Sequence, residues 1–391
     1  MIQYGELSEV VRLGLDRFKY DERYSLSALA DAFACRSGPE EDDTALLERI
    51  CAAYIKAAEY ERSAAGPFAA TPWWQQTRRK HLTPVMEALR GRNIEALRHM
   101  YRNFFRNPCS TNLVGLPVDM QRCYFSGEID PLYGRFFLGD ALHRLDLWKA
   151  VTKGRFPIAA LRSPAVGNPY GITVDGVFIR IAAESQHFYA QELARLLGDS
   201  NPGTVLEIGG GFGGMAGYLI RDTPRLTYLN FDVPETIALA SYYLLRSFPS
   251  LTATLYGEAD ITPDVLHRSD IILMPTWQIA AVPDSSVNVS FSSHVLGDLS
   301  PEAAHEYTAH LARVTRDHVL IVDRDHTDSD VPRTPFPAFN LARKRPAFWE
   351  TAKSLRNNQA EWLYTACADS QRSQAASFRP TRSSTSPISF R

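Results

Sequence analysis

Apolar positions recur at helical spacing through the first 160 residues. "ALLERICAAYIKAAEY" sets Leu46, Leu47, Ile50, Tyr54, Ile55 and Ala58 on one face, the signature of an amphipathic helix. "HLTPVMEALRGRNIEALRHMYRNFF" continues it, with Pro84 near a helix start and Gly91 near a break. The basic cluster Arg78, Arg79, Lys80, Arg90 and Arg92 reads as a solvated helix face, because neighbouring carboxylates balance it. "RSPAVGNPYG" is a Pro/Gly loop and a natural domain junction, and "SQHFYAQELARLLG" reads as one helix ending at Gly198.

From residue 204 the period changes. Short apolar runs predict strands near 204–208, 226–231, 270–275, 287–292 and 318–323. Helical stretches fill the gaps at "GGMAGYLIRD", "PETIALASYYLLRSF" and "SPEAAHEYTAHLARVT". This alternation predicts an α/β fold, a parallel Rossmann-like sheet with helices on both faces. The expected division is a helical N-terminal domain over 1–163, a sheet domain over 164–368 and a Ser/Arg/Pro-rich tail over 369–391 that reads as disordered.

Composition narrows the partners. A formal net charge of -2 gives no reason to expect nucleic acid. No apolar run approaches the roughly 20 residues that span a bilayer, and the N-terminus lacks the pattern of a secretory signal. Five scattered cysteines without a C-x-x-C suit a reducing cytoplasm, with mostly structural thiols. A homo-oligomer is compatible with all of this.

"TVLEIGGGFGG" places five glycines in six positions after the first predicted strand. Such a turn lets a ligand approach the backbone at a helix N-terminus. Gly209, Gly211 and Gly214 spell the dinucleotide fingerprint G-x-G-x-x-G. Glu207, Gly209, Gly211 and Gly213 equally spell E-x-G-x-G-x-G, the first motif of class I S-adenosylmethionine (SAM) methyltransferases. Glu207 discriminates better than the glycines. A carboxylate there repels a pyrophosphate and attracts the amino group and sulfonium of SAM. Asp232, at the end of the next strand, suits the ribose of either cofactor.

"VLEIGGGFGG", "FDVPETIALASYYL" and "FSSHVLGDLS" together resemble a sugar O-methyltransferase family within the class I SAM-dependent methyltransferases. The likeness covers roughly residues 165–325 and is weak before them. It implies SAM as cofactor and O-methylation of a sugar or glycosylated small molecule, in polysaccharide or natural-product assembly. "SSHVLGDL" departs from the family, with Val295 where Ser is common and Asp298-Leu299 for Glu-Met. The same stretch resembles a segment of plant-type O-methyltransferases whose base is a histidine, and Gly297 stands at that base position.

Ligands of open α/β sheets bind beyond the carboxyl ends of the strands. Met274, Pro275 and Trp277 are therefore candidates to flank the adenine, and Ser292 and Ser293 to touch the methionine part or the acceptor. A sugar hydroxyl needs a general base, and histidine is tuned for that near neutrality. His294 is the first candidate, with Asp298 to orient its ring. His326 is the second. His187 in the lead-in helix is a further histidine to place. Asp323, Asp325, Asp328 and Asp330 would suit Mg²⁺, but the loop lacks the glycine and glutamate of an EF-hand. His305 and His310 are five apart, which is wrong for a helical zinc pair. An NAD-type oxidoreductase and a non-catalytic SAM-fold subunit are the alternative readings.

Overall fold

A computed structural model describes residues 4–38, 42–61, 66–114, 131–325, 336, 338–348 and 359–367. The predicted tail at 369–391 lies outside them, as do His326, Asp328, Asp330 and Cys123. The first part of the chain is helical: α1 Tyr4–Phe18, α2 Leu26–Ala32, α3 Thr44–Glu61, α4 Pro72–Thr77, α5 Thr83–Arg90, α6 Ile94–Arg102 and α7 Pro131–Val151. Pro84 sits in the first turn of α5 and Gly91 ends it. Asn93 caps α6 by accepting from the Ala96 N–H at 3.1 Å. Between α4 and α5, Arg78–Leu82 winds as a π-turn.

A hairpin of β1 Gly171–Val174 and β2 Val177–Arg180 follows. Then come α8 Ala183–Leu197, β3 Gly203–Ile208, α9 Gly214–Asp222, β4 Leu226–Asp232, α10 Pro234–Ser247 and β5 Ala253–Leu255. The chain continues through α11 Pro263–Arg268, β6 Ile271–Pro275, β7 Val287–Ser293, α12 Pro301–Val314, β8 Thr315–Arg324, β9 Phe339–Pro346 and β10 Gln359–Ala366. All five predicted strands are present.

The main sheet has the order β5-β6-β4-β3-β7-β8-β10-β9. The strands from β5 to β8 are parallel, and β10 is antiparallel to both neighbours. This is a Rossmann-like α/β sheet with a helical N-terminal part. It departs from the dinucleotide fold at one edge, where a parallel sixth strand would continue the order 3-2-1-4-5-6.

Alternation along the strands divides the core in two. Val205, Tyr228, Leu273, Phe291 and Val322 join one cluster with α8, α9, α10 and the N-terminal helices. Leu206, Phe231, Met274 and Ile321 join the other with α11 and α12. Both faces of the parallel strands are thus covered, which is why they read as continuous apolar runs. The first cluster runs without a break from the helical part into the sheet.

The strands that periodicity missed have physical reasons. β5 is three residues long. β9 carries "FNLARKRP" at the sheet edge, where basic side chains are tolerated and blunt further pairing. The β1–β2 hairpin did have a signal. Asp175-Gly176, both at positive φ, is the two-residue turn that joins alternating strands.

Candidate functional site

The candidate residues converge where the parallel strands end. β3 runs into the glycine loop, β4 ends on Asp232 and β6 on Pro275, which pairs with Asp232 in the sheet. β7 ends on Ser293, followed by His294, and β8 ends next to Asp323.

Packing by the protein itself accounts for most of the loop's glycines. At Gly209, a Cβ would stand 2.1 Å from the Val295 Cγ2, and φ is +75°. Gly211 is different. Its φ is +56°, yet a Cβ there meets nothing nearer than Leu113 at 4.0 Å. The protein leaves room above this one glycine, the cradle expected of a bound group.

Glu207 is 3% exposed on the sheet face shared with Tyr228. The Tyr228 hydroxyl donates to its Oε2. Burial pushes the carboxyl up to about 8, with Asp232 adding to the shift. Asp232 accepts from the Val233 N–H at 2.7 Å and the Gly211 N–H at 3.1 Å. Burial still carries it up to about 7, against those two bonds and the pull of Arg78. Two acids at adjacent strand ends are therefore both held towards their neutral forms, chiefly by burial.

Three buried polar atoms around this floor have no hydrogen-bond partner: Asn230 Nδ2, Trp277 Nε1 and Ser292 Oγ. They are three of sixteen such atoms among the described residues, and they are ones that a ligand beyond the strand ends would complete. Trp277 lies between Tyr60, at 5.3 Å between centroids, and Tyr256, at 6.1 Å. Pro275 and Met274 are buried at the end of β6. The glycine cradle, the two carboxylates and the orphaned donors fit SAM.

On the other side, His294 is exposed and adopts φ +58°, the left-handed region that a histidine enters only in a tight turn. Its N–H donates to the Val322 carbonyl at 2.8 Å. Desolvation lowers its imidazole pKa, and Asp323 is the main influence opposing that. Asp298, expected to orient the ring, is exposed, reaches Arg324 at 3.9 Å and has the weaker hold on His294.

Asp323 binds the Gly297 N–H and the Arg324 N–H, each at 2.7 Å. A Cβ at Gly297 would stand 2.7 Å from that carboxylate. The glycine at the expected base position is thus a packing requirement. Ser293 is half-buried beside His294. Asp323 is 6% exposed and committed to the turn, and no group of acidic, histidine or cysteine residues suited to a metal occurs among the described residues.

His187 is buried against Trp148, whose Nε1 donates to its Nδ1 at 3.1 Å, and burial lowers its pKa to about 4. It belongs to the packing of α7, α8 and α9. The basic face is solvated at Arg79, Lys80, Arg90 and Arg92, as expected, and Arg78 is the exception. Its side chain is 15% exposed and binds Glu235 in the first turn of α10 at 2.6 and 2.9 Å. Burial of an arginine depends on what docks against its helix, and that is invisible in a local charge pattern.

No protein-family model matches the chain, and no curated protein matches it. Part of the chain is similar to solved structures. A SAM-dependent methyltransferase from Aquifex aeolicus is 14% identical with a TM-score of 0.31, over 48% of this chain and 94% of that one. The mitomycin 7-O-methyltransferase MmcR is 14% identical with a TM-score of 0.31, over 47% of this chain and 55% of that one. The [4+2]-cyclase SpnF is 10% identical with a TM-score of 0.32, over 58% of this chain and 93% of that one. Superpositions of this extent fix neither substrate nor chemistry. No helix among the described residues is long and apolar enough to cross a membrane.

Proposed function

We propose that this protein binds SAM at the glycine loop and transfers its methyl group to a hydroxyl of a small molecule. The observation that carries the reading is Glu207, a buried carboxylate beneath the loop with a tyrosine hydroxyl and no cation for a partner. A cationic ligand would favour its ionised form, and a pyrophosphate would oppose that ionisation. The antiparallel β10 beside β8 also opposes the dinucleotide alternative.

SAM supplies an activated methyl group. Gly211 gives the cofactor room at the start of α9, and Glu207 faces its positive charge. Asp232 accepts from the ribose hydroxyls, while Pro275 and Trp277 border the base. Ser292 and Ser293 lie toward the methionine part and the acceptor. His294 takes the acceptor's proton at its imidazole as the C–O bond forms. Asp323 holds the turn that carries His294 and favours the imidazolium that results. The residues before 164 form a helical domain that roofs this cleft. The acceptor class, a sugar or glycosylated compound, is what the sequence resemblance implies.

Calorimetric titration with SAM, with its demethylated product S-adenosylhomocysteine and with NAD⁺ tests the reading. We expect binding of the first two only. Binding of NAD⁺ alone overturns it, and SAM binding without transfer to any of a panel of hydroxyl acceptors supports a non-catalytic subunit instead.

A further inference from the structure

The end of β4 takes up three successive amides of the glycine loop. The Gly209 N–H donates to the Phe231 carbonyl at 2.9 Å, the Gly210 N–H to Asn230 Oδ1 at 3.2 Å and the Gly211 N–H to Asp232 Oδ2 at 3.1 Å. Phosphate-binding loops turn such amides towards their ligand. Here the protein uses them, and what the loop offers a ligand is the space above Gly211. Gly210 is the hub of the turn, because its carbonyl also accepts from the Gly213 N–H at 3.0 Å. With its N–H and its carbonyl both held, Gly210 sets where the next residue, Gly211, stands. Asn230 is 0% exposed, between Glu207 of β3 and Leu273 of β6 in the sheet. Its Nδ2 has no protein partner. Burying a donor without an acceptor is costly, and an apolar residue would avoid that cost. The bond from Gly210 is what an amide adds at this position. A Cβ on Gly210 would stand 2.7 Å from both Oδ1 and Nδ2 of Asn230. Gly210 lies outside the positive-φ region that Gly209, Gly211 and Gly213 occupy, so the amide and not the backbone excludes a side chain there.

We propose that Asn230 is a positioning residue of the cofactor site: its side-chain oxygen and its bulk seat Gly210 and so keep the space above Gly211 open. This rests on the SAM reading for its ligand but not for the loop. Asp232 shares the task at Gly211, yet on that reading it also meets the ribose, whereas the Asn230 oxygen is committed to the loop. Loss of that oxygen releases one amide and weakens every ligand of the cradle, with or without a sulfonium.

The test compares Asn230→Ala, Asn230→Asp, Gly210→Ala and the double variant Gly210→Ala/Asn230→Ala with the wild type. Hydrogen exchange of the loop amides, followed by NMR without ligand, reports the bond itself. In Asn230→Ala the Gly210 amide should exchange roughly tenfold faster or more, while the Gly209 amide, bonded to backbone, changes little. Calorimetry at about pH 6 should show roughly tenfold weaker binding of both SAM and S-adenosylhomocysteine. Asn230→Asp, whose buried acid stays protonated at that pH, keeps an oxygen for Gly210 and should remain within about threefold of the wild type. Gly210→Ala should also bind roughly tenfold more weakly. The double variant should lose less than the two single losses multiplied, since shortening Asn230 makes room for the methyl. A residue that matters only for general stability predicts otherwise. All loop amides would then speed up together, the two losses would multiply and Asn230→Asp would be as weak as Asn230→Ala, and that result overturns the proposal. If Asn230→Ala fails to fold, Asn230→Leu, which keeps the volume and lacks the oxygen, replaces it against Asn230→Asp. Selective release of the Gly210 amide, in a protein whose wild type binds neither SAM nor its product, would uphold the seating of the loop and refute the methyltransferase reading.

Discussion

The two halves of the candidate site are built in opposite ways. On the β3–β4 side, the proposed cofactor contacts rest on one buried acid, Glu207, and one half-buried acid, Asp232. Glu207 and Asp232 are acids raised towards neutrality by burial, under a loop whose glycines are fitted to Val295, Asn230, Leu244 and Gln186. On the β7–β8 side, His294 is exposed, and a single carboxylate, Asp323, holds its turn. On the proposed reading, the first side would meet a ligand of fixed charge. On the same reading, the second would keep an exposed titratable ring open to a substrate. A cofactor that is the same in every turnover can be met by a rigid, desolvated floor, whereas a base must reach its acceptor and exchange its proton with water.

The comparison breaks most sharply at His294. His294→Ala should leave SAM affinity within about twofold and lower the methylation rate by about 10²–10⁴-fold, the usual worth of a positioned base. Because desolvation lowers the imidazole pKa, the wild-type rate should rise with pH through a midpoint below 6.5 and flatten above it. The variant should lose that limb. His326→Ala is the control. A dead His326→Ala beside an active His294→Ala would move the base beyond β8.

Glu207 tests the other side through stability. Its folded-state pKa of about 8 lies above the ordinary 4.5, so the folded protein keeps a proton that the unfolded chain gives up. The associated stability is fully present below pH 4.5 and is lost as pH rises towards 8. Glu207→Gln keeps an acceptor for the Tyr228 hydroxyl and removes this penalty. The free variant should be more stable than the wild type at pH 8.5, by on the order of 1–3 kcal/mol in denaturant unfolding. It should also bind SAM at least tenfold more weakly. Equal stability across pH 5–8.5 would show that the carboxylate is solvated and that no cation is needed.

These two sides were not equally legible in the sequence. The placement of the glycine-loop side was, because contiguous glycines and acids at the ends of apolar strands mark it. Asp323 was visible only as part of an acidic loop, and its role in fixing Gly297 required the register of β7 against β8. Asn230 and Tyr228 were hidden as ordinary strand positions. Arg78 was misjudged because its partners Glu61 and Glu235 lie 17 and 157 residues away. Local periodicity found the helices around the strand ends but missed β10 and the edge strand β9, whose Arg343 and Arg345 pair with Glu192 of α8 and Glu361 of β10.

Gly211→Ala gives the next effect. The added methyl meets no protein atom nearer than 4.0 Å, so the cost to the free protein is limited to the strain of a positive φ. In the cradle it occupies the space left for the cofactor. SAM and S-adenosylhomocysteine affinities should both fall at least tenfold, about 1.4 kcal/mol, by calorimetry. Unchanged affinity in a folded variant would sever the loop from cofactor binding.

The smallest expected effect sharpens the division of labour between the two aspartates. Asp298 is exposed, its only described ion pair is the 3.9 Å approach of Arg324, and water screens its field at His294. Asp298→Asn should therefore change the methylation rate by less than about threefold and leave the midpoint of the pH–rate limb nearly in place. Asp323→Asn should act differently, since it keeps an oxygen for one of the two backbone donors and loses the charge that favours the imidazolium. Its limb should shift to lower pH and its rate should fall further than that of Asp298→Asn. If Asp298→Asn instead costs tenfold or more with Asp323→Asn near the wild type, the exposed carboxylate touches the acceptor, and the open side of the site works through Asp298.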